Sequence, residues 1–210
     1  MPMQAKKLIQ ARTRAFFKDR GFSVRGMCYR KDFATLSQVY VLEFLRGGSA
    51  FQIISGIVHY GFRRHQGFNA TDPINHPTEG VMVHSIGDFM KSNAGWLEFA
   101  PTDDGLAILD RALKKVGTKM MPIYADITDD RSLLAYLLSH REPGGSESDA
   151  LVFLLERNGR QRLANRLRKV SEAQSQEAMQ VATMLMDKIQ KAIPGAIITR
   201  GGRQPRKSVR

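Results

Sequence analysis

Three apolar runs joined by short connections lie early in the chain and limit its possible folds most strongly. The runs span residues 24–30, 36–45 and 51–59, and their β-branched and aromatic residues are typical of β-strands. Lys31-Asp32 and Gly47-Gly48-Ser49 separate them with residues that favour turns. Strands that follow one another through such short connections pair in antiparallel fashion. The sequence therefore predicts an antiparallel β-meander.

The third run carries apolar residues on both faces of the predicted strand. Phe51 and Ile53 point to one side, and Ile54 and Val58 point to the other. This pattern indicates a strand at the centre of the sheet or one covered by helices. Gly56, in the middle of the run, predicts a bulge or the close approach of another backbone segment.

Residues 61–80 show neither helical nor strand periodicity. Glycine, proline, asparagine and aspartate recur through them, so the sequence predicts a long polar loop. Short strands are predicted at 81–86 and 96–99. The only tryptophan, Trp96, is interpreted as an anchor in the core or at the sheet edge.

Helical periodicity marks the start of the chain and its second half. An amphipathic helix is predicted over residues 4–19, with Gly21 as its stop. Two more helices are predicted to begin at the acidic pairs Asp103-Asp104 and Asp129-Asp130, which suit helix N-termini because of capping and the helix dipole. Gly117 is predicted to end the first of these two.

Residues 142–149 contain Pro143-Gly144-Gly145-Ser146 and are predicted to form an exposed loop and an internal hinge. Ser148 or Asp149 is then predicted to cap a further helix, and a last helix is predicted to run to about residue 192. Whether Asn158-Gly159 breaks the helical stretch is left open by the sequence.

These elements place the chain in the α+β class, with an N-terminal helix, an antiparallel β-meander, a helical C-terminal half and a disordered basic tail. The predicted organisation is an α+β domain over residues 1–141, a helical extension packed on it over 147–193, and a flexible tail over 194–210. The ordinary apolar content of 42% is enough for a packed core.

The chain is strongly basic, with 32 lysines and arginines against 20 acidic residues and a formal charge of +12. The tail contributes five of these charges without any acidic residue, so residues 1–199 carry +7. Such a surface attracts polyanions and acidic proteins over long distances. Excess charge also serves solubility alone, so it does not by itself identify a partner.

A basic stretch in the C-terminal region is the candidate binding site. Arg162, Arg166 and Lys169 share one face of a predicted helix at positions i, i+4 and i+7, a spacing that suits contact with successive phosphates. The stretch has no interleaved aromatic residues for stacking on bases. The alternative is a solvated face partly neutralised by Glu156, Glu172 and Glu177. With the tail, the predicted site comprises Arg157, Arg160, Arg162, Arg166, Arg168, Lys169, Arg200, Arg203, Arg206, Lys207 and Arg210.

The sequence contains no recognisable catalytic frame. Neither Ser55-Gly56 nor Ser85-Ile86-Gly87 has the Gly-x-Ser-x-Gly frame of a nucleophile elbow. Gly47-Gly48-Ser49 lacks the lysine and the following helix of a phosphate-binding loop. No catalytic residue, metal ligand or cofactor is therefore predicted.

The five histidines leave one alternative open. His59 and His84 lie on strands predicted to be neighbours, and with Glu43 or Asp88 they would offer metal ligands. His65 and His76 lie between them, whereas His140 lies elsewhere in the chain. A metal-dependent enzyme with its site in residues 59–84 is the alternative function.

The N-terminal part of the chain contains a series of short motifs in a fixed order: Phe16-Phe17, Gly21-Phe22, Cys28-Tyr29-Arg30, Gln38-Val39, Phe51-Gln52-Ile53 and Ile54-Ser55-Gly56-Ile57. In these residues the chain resembles bacterial domain of unknown function 4304. The recurring elements of that family are a leading helix, a Gly-Phe junction, an aromatic-Arg strand and a long pair of strands that ends in an apolar-Gly-apolar segment. The resemblance implies a helix-plus-sheet fold and no particular activity.

Together these observations favour a non-enzymatic binding protein whose basic surface contacts an acidic protein or a nucleic-acid backbone. An immunity-type protein that neutralises a toxin is a further alternative. A cytoplasmic location is expected, because the sequence shows no secretory signal and no membrane span. The single cysteine, Cys28, cannot form an internal disulfide and is interpreted as a small apolar residue on a strand.

Overall fold

The computed structural model describes residues 3–45, 50–90, 95–98, 103–139 and 145–172, together with Met184. Within them the fold is α+β, as predicted: an N-terminal helix precedes an antiparallel sheet, and the second half is helical. The predicted tail, 194–210, and the predicted end of the last helix near residue 192 lie outside the described residues.

The sheet is a meander of five strands with a sixth strand added to its fourth. The order β1-β2-β3-β4-β5 follows the chain, every pairing is antiparallel, and β6 pairs with β4 beside β5. The predicted meander is thereby confirmed. The strands are β1 (Ser23–Arg25), β2 (Cys28–Asp32), β3 (Leu36–Phe44), β4 (Ala50–His59), β5 (Met82–Ser85) and β6 (Leu97–Glu98).

The first predicted strand, 24–30, is in fact a hairpin of β1 and β2. Gly26 has a φ of +62°, a conformation that favours glycine and lets the chain reverse so that Arg25 pairs with Cys28. Lys31-Asp32 is not a turn, because both residues pair with β3. The reversal comes later, where the Phe33 amide donates to the Leu36 carbonyl. The predicted turn at Gly47-Gly48-Ser49 lies outside the described residues.

Eight α-helices accompany the sheet in the described residues. They are α1 (Met3–Lys18), α2 (Tyr60–His65), α3 (Gly87–Met90), α4 (Asp103–Lys115), α5 (Met121–Tyr124), α6 (Asp130–Ser139), α7 (Gly145–Arg157) and α8 (Gln161–Glu172). A 3₁₀ turn at Pro77–Glu79 and a π-helical turn at Val116–Met120 complete the set. In the described part of the chain, no helix is long and apolar enough to cross a membrane.

Three helix boundaries differ from those predicted. The segment 61–80 is not wholly a loop, because the His59 side chain accepts a hydrogen bond from the Phe62 amide and so caps α2. Helix α7 begins at Gly145, earlier than Ser148 or Asp149, so the second half of the predicted hinge is helical. Gly117 does not end the helix, because it has no positive φ and lies within the π-helical turn that continues the chain helically.

Asn158-Gly159 does break the helical stretch. Gly159 has a φ of +69°, its amide donates to the Glu156 carbonyl at 3.0 Å, and the Arg160 amide donates to the Leu155 carbonyl at 2.8 Å. These two bonds form a Schellman motif, which closes the C-terminus of α7. The glycine thus separates α7 from α8.

The main core lies between one face of the sheet and the helices. Phe17 of α1 packs there against Tyr29 and Tyr40, and buried leucines of α6, α7 and α8 belong to the same cluster. The opposite face of the sheet holds a smaller cluster that includes Val39, Val58 and Ile74. Strand β4 is thus covered on both faces, and its position between β3 and β5 makes it central, the first of the two predicted alternatives.

Gly56 provides the close backbone approach that the sequence predicts. A Cβ atom at this position would overlap the carbonyl oxygen of Met82 and would lie 2.9 Å from the Cβ of Pro77. Only a glycine therefore lets β5 and the 3₁₀ turn press against β4 at this point.

Candidate functional site

Helix α8 presents one buried and one charged side. Ala164 and Leu167 are buried in the main core, which holds the helix against the rest of the fold. The exposed residues between 161 and 169 are all polar. The members of the predicted basic site in this segment, Arg160, Arg162, Arg166, Arg168 and Lys169, are all exposed.

Two arginines of the predicted site are neutralised by carboxylates. Nε of Arg157 lies 3.1 Å from Oδ2 of Asp130, and NH2 of Arg168 lies 2.6 Å from Oε1 of Glu156. The hydrogen bond from Arg168 lowers the pKa of the Glu156 carboxyl below its usual value. The predicted role of Glu156 as a partial partner is thus confirmed.

The other four cations of this segment form what we call the α8 basic surface: Arg160, Arg162, Arg166 and Lys169. In the described part of the chain, none of them lies within 4.0 Å of a carboxylate. The spacing of the last three along α8 places them on one face. The tail members of the predicted site, Arg200, Arg203, Arg206, Lys207 and Arg210, lie outside the described residues.

Arg157 belongs to a brace that links three elements. His59 lies at the end of β4 and is 2% exposed. Its Nδ1 accepts a hydrogen bond from the Phe62 amide, so the ring carries its proton on Nε2. Nε2 donates a hydrogen bond to Oδ1 of Asp130 at 3.0 Å. Burial alone would raise the pKa of Asp130, but hydrogen bonding from His59 and the charge of Arg157 contribute to a net lowering. The second carboxylate oxygen of Asp130 accepts a hydrogen bond from Nε of Arg157. These contacts link β4, α6 and α7.

The four histidines that the structure describes do not converge on a metal site. His59 is committed to Asp130, whereas Nε2 of His76 lies 2.7 Å from Oε1 of Glu43. His84 pairs in the sheet with Ser55, four residues from His59 along β4, so the two histidines do not meet as hypothesised. His65 is exposed beside the ring of Phe153, 5.6 Å away. Across the described ranges, no three His, Cys, Asp or Glu side chains are placed to hold a metal ion.

Tyr124 is the centre of a buried polar network that the sequence does not reveal. Its hydroxyl lies 2.7 Å from Nδ1 of His84 and 3.0 Å from the hydroxyl of Ser55. The Gln38 side chain donates to its backbone carbonyl at 2.8 Å. Burial raises the pKa of the Tyr124 phenol, which therefore keeps its proton and joins α5 to the sheet. The pairing depends on contacts more than thirty residues apart and leaves no local sequence pattern.

Arg63 is a buried cation that serves the fold. It is 5% exposed, and its guanidinium donates to Glu79 and to the backbone carbonyls of Asp72 and Pro73 at 2.9 and 3.0 Å. It also stacks on the Phe68 ring, 4.6 Å from its centroid. Its donors thereby organise the segment that the sequence predicts as an irregular loop.

Cys28 occupies the start of β2, as interpreted from the sequence. Its thiol is directed at the backbone carbonyl of Ile74, 3.8 Å away, and burial raises its pKa. A raised pKa disfavours the reactive thiolate, so the position of Cys28 suits packing.

Comparison of the chain with protein-family models, with curated proteins and with solved structures found no match. The resemblance of the N-terminal part to domain of unknown function 4304 stays a prediction.

Proposed function

We propose that the chain is a non-enzymatic binding protein whose α8 basic surface contacts the phosphate backbone of a nucleic acid. The observation that carries the proposal is the set of four exposed cations that have no carboxylate partner in the described part of the chain. Lysine and arginine in such a position neutralise phosphates and release counterions, which supplies most non-specific affinity for nucleic acids. The basic tail residues of the sequence belong to the same proposal.

The chemistry of this surface favours phosphates over bases. Residues 162 and 169 are separated by roughly 10 Å along the helix axis, so their charges follow a line. No aromatic side chain is exposed on α8, and stacking on bases is what single-strand readout requires. We therefore expect binding that depends weakly on base sequence.

The same surface fits an acidic protein less well. The buried centre of a protein interface is enriched in aromatic and apolar residues. The exposed side of α8 offers only glutamine, asparagine, arginine and lysine between residues 161 and 169. A protein partner would gain electrostatic attraction there without an apolar anchor, whereas a phosphate backbone needs none.

The enzyme alternative finds no support in residues 59–84, all of which are described. His59, His76 and His84 are engaged separately with Asp130, Glu43 and Tyr124. No observation favours an immunity-type role. A cytoplasmic location, where nucleic acids are accessible and Cys28 would stay reduced, is part of the proposal.

Removing the aligned charges is expected to weaken nucleic-acid binding. In the variant Arg162→Gln/Arg166→Gln/Lys169→Gln, affinity for a labelled DNA duplex at low salt should fall at least ~10-fold, because three phosphate contacts are lost. Fluorescence anisotropy with duplexes of two unrelated base sequences measures this loss, which should be equal for both.

The matched control removes three exposed charges from another part of the fold, in the variant Arg111→Gln/Lys114→Gln/Lys119→Gln. This control variant loses the same number of positive charges as the α8 triple variant. It should reduce affinity for the DNA duplex much less than the α8 triple variant does. Equal losses in the two triple variants would mean that only net charge matters, and the assignment to α8 would be wrong.

A further inference from the structure

A groove runs between helix α1 and the turn of the β1–β2 hairpin. It has a volume of about 530 Å³, which falls within the range of ligand-sized pockets. It lies on the side of α1 that does not face the core, and it is separate from α8. Its position follows from Gly26, whose positive φ makes the hairpin turn tight.

The floor of the groove is apolar and small. Ala11 and Ala15, one helical turn apart, contribute only methyl groups, and Gly26 contributes none. Met27 is 36% exposed, and its sulfur accepts a hydrogen bond from Nε2 of Gln10 at 3.3 Å. An exposed methionine is an adaptable surface for apolar side chains. The floor therefore offers space for an apolar group that this part of the fold leaves unfilled.

The rim of the groove is positive. Lys7, Arg14 and Lys18 line it and are exposed, and none is ion-paired with a described carboxylate. Arg12 on the same helix, by contrast, meets Asp110 of α4 at 2.8 Å. No acidic residue is among those lining the groove. The cations of the rim thus have their charges available to a ligand.

We infer that this groove docks an acidic segment of a partner protein, with an apolar side chain on the floor and carboxylates at the rim. A nucleic acid would use the rim alone, because no aromatic side chain lines the groove for base stacking. A second copy of this chain is disfavoured by its charge of +12. The inference goes beyond the proposed function, since it concerns a different surface and a different class of partner.

A synthetic labelled peptide in which glutamates flank a central Leu-Phe pair is the probe for this site. Fluorescence anisotropy at low salt should detect its binding to the full chain. Replacing the Leu-Phe pair with Ser-Ser, or the glutamates with glutamines, should weaken binding at least ~10-fold, because each change removes one half of the complementarity. Backbone amide NMR should place the largest shifts at Gly26 and Met27.

Two protein variants test separately how the charge of the rim and the space on the floor contribute to peptide binding. Lys7→Glu/Lys18→Glu reverses the rim, and Ala11→Phe fills the floor without changing charge; each should lower peptide affinity at least ~10-fold. Thermal unfolding confirms that each variant is folded, and all three positions are exposed. The α8 triple variant is the matched control and should retain peptide binding within about twofold, since distant sites act independently.

Three results would overturn the inference. They are absence of peptide binding at low salt, equal loss of binding in the α8 triple variant and the groove variants, and displacement of the peptide by a DNA duplex from the groove. The last would assign the groove to phosphates. Because the α8 surface is tested with separate variants, failure of the groove leaves the proposed function untouched.

Discussion

Replacing Arg63 with methionine is expected to lower the free energy of unfolding by about 3–5 kcal/mol. The guanidinium is buried and donates to Glu79, with NH2 2.7 Å from the carboxylate, and to two backbone carbonyls. Methionine keeps an unbranched apolar stem but has no hydrogen-bond donors, so the carboxylate and both carbonyls would lose their contacts with the guanidinium. Breaking a buried ion pair from one side is costly because the remaining charge stays poorly solvated.

The neighbouring Arg64 supplies a matched control, because it belongs to the same helix and is exposed. Arg64→Met should change the free energy of unfolding by less than about 0.5 kcal/mol, as surface substitutions commonly do. Urea denaturation followed by circular dichroism measures the free energy of unfolding of both variants. If Arg63→Met stayed within about 1 kcal/mol of Arg64→Met, the buried ion pair would not hold the segment from 66 to 80 as described.

Replacing Phe17 with alanine is also expected to lower the free energy of unfolding, by about 3–5 kcal/mol. Phe17 is fully buried, its ring is stacked on Tyr29 with centroids 4.4 Å apart, and it lies 5.0 Å from the Tyr40 ring. Alanine would leave a cavity at the junction of α1 and the sheet, where rigid strands limit collapse of the surroundings. Equilibrium unfolding in urea measures the loss.

Leu8→Ala on the same helix is the control for this prediction. Leu8 is 39% exposed, so its truncation removes little buried apolar area and should cost less than about 1 kcal/mol. Equal destabilisation by the two substitutions would show that α1 is held by its length or helicity and not by the aromatic cluster around Phe17.

Local patterns predict most of the sheet and the helices of this fold. β-Branched and aromatic residues identify β3 and β4. The apolar residues on both faces of β4 indicate a central strand or one covered by helices, and the structure shows β4 between β3 and β5. Two of the errors concern glycines. Gly26, with a positive φ, makes a turn inside a predicted strand, whereas Gly117 lies within the helical stretch that it is predicted to end. Lys31-Asp32 pairs with β3 where the sequence predicts a turn. A glycine is compatible with both a turn and a helix, and the local sequence does not distinguish the two.

The sequence also predicts some features of the candidate surfaces and not others. Exposure of Arg162, Arg166 and Lys169 follows from helical periodicity, so the sequence predicts it. The pairing of Arg157 with Asp130 joins residues far apart in the chain, and periodicity carries no information about it. The groove beside α1 was also not predicted, because it arises only when the hairpin turn is placed against the helix.

Contact between the α8 basic surface and phosphates makes nucleic-acid binding depend on salt, so a salt series tests for this contact. We would measure the binding constant of the full chain for a DNA duplex at several salt concentrations. The logarithm of this constant should fall steeply with the logarithm of salt concentration, by roughly 0.9 for each phosphate neutralised. The α8 triple variant should reduce the slope by about 2.7, and a chain that ends at Pro194 should also give a shallower slope. Absence of binding at the lowest salt concentration, or a slope in the α8 triple variant equal to that of the unmodified chain, would mean that the α8 basic surface does not bind phosphates.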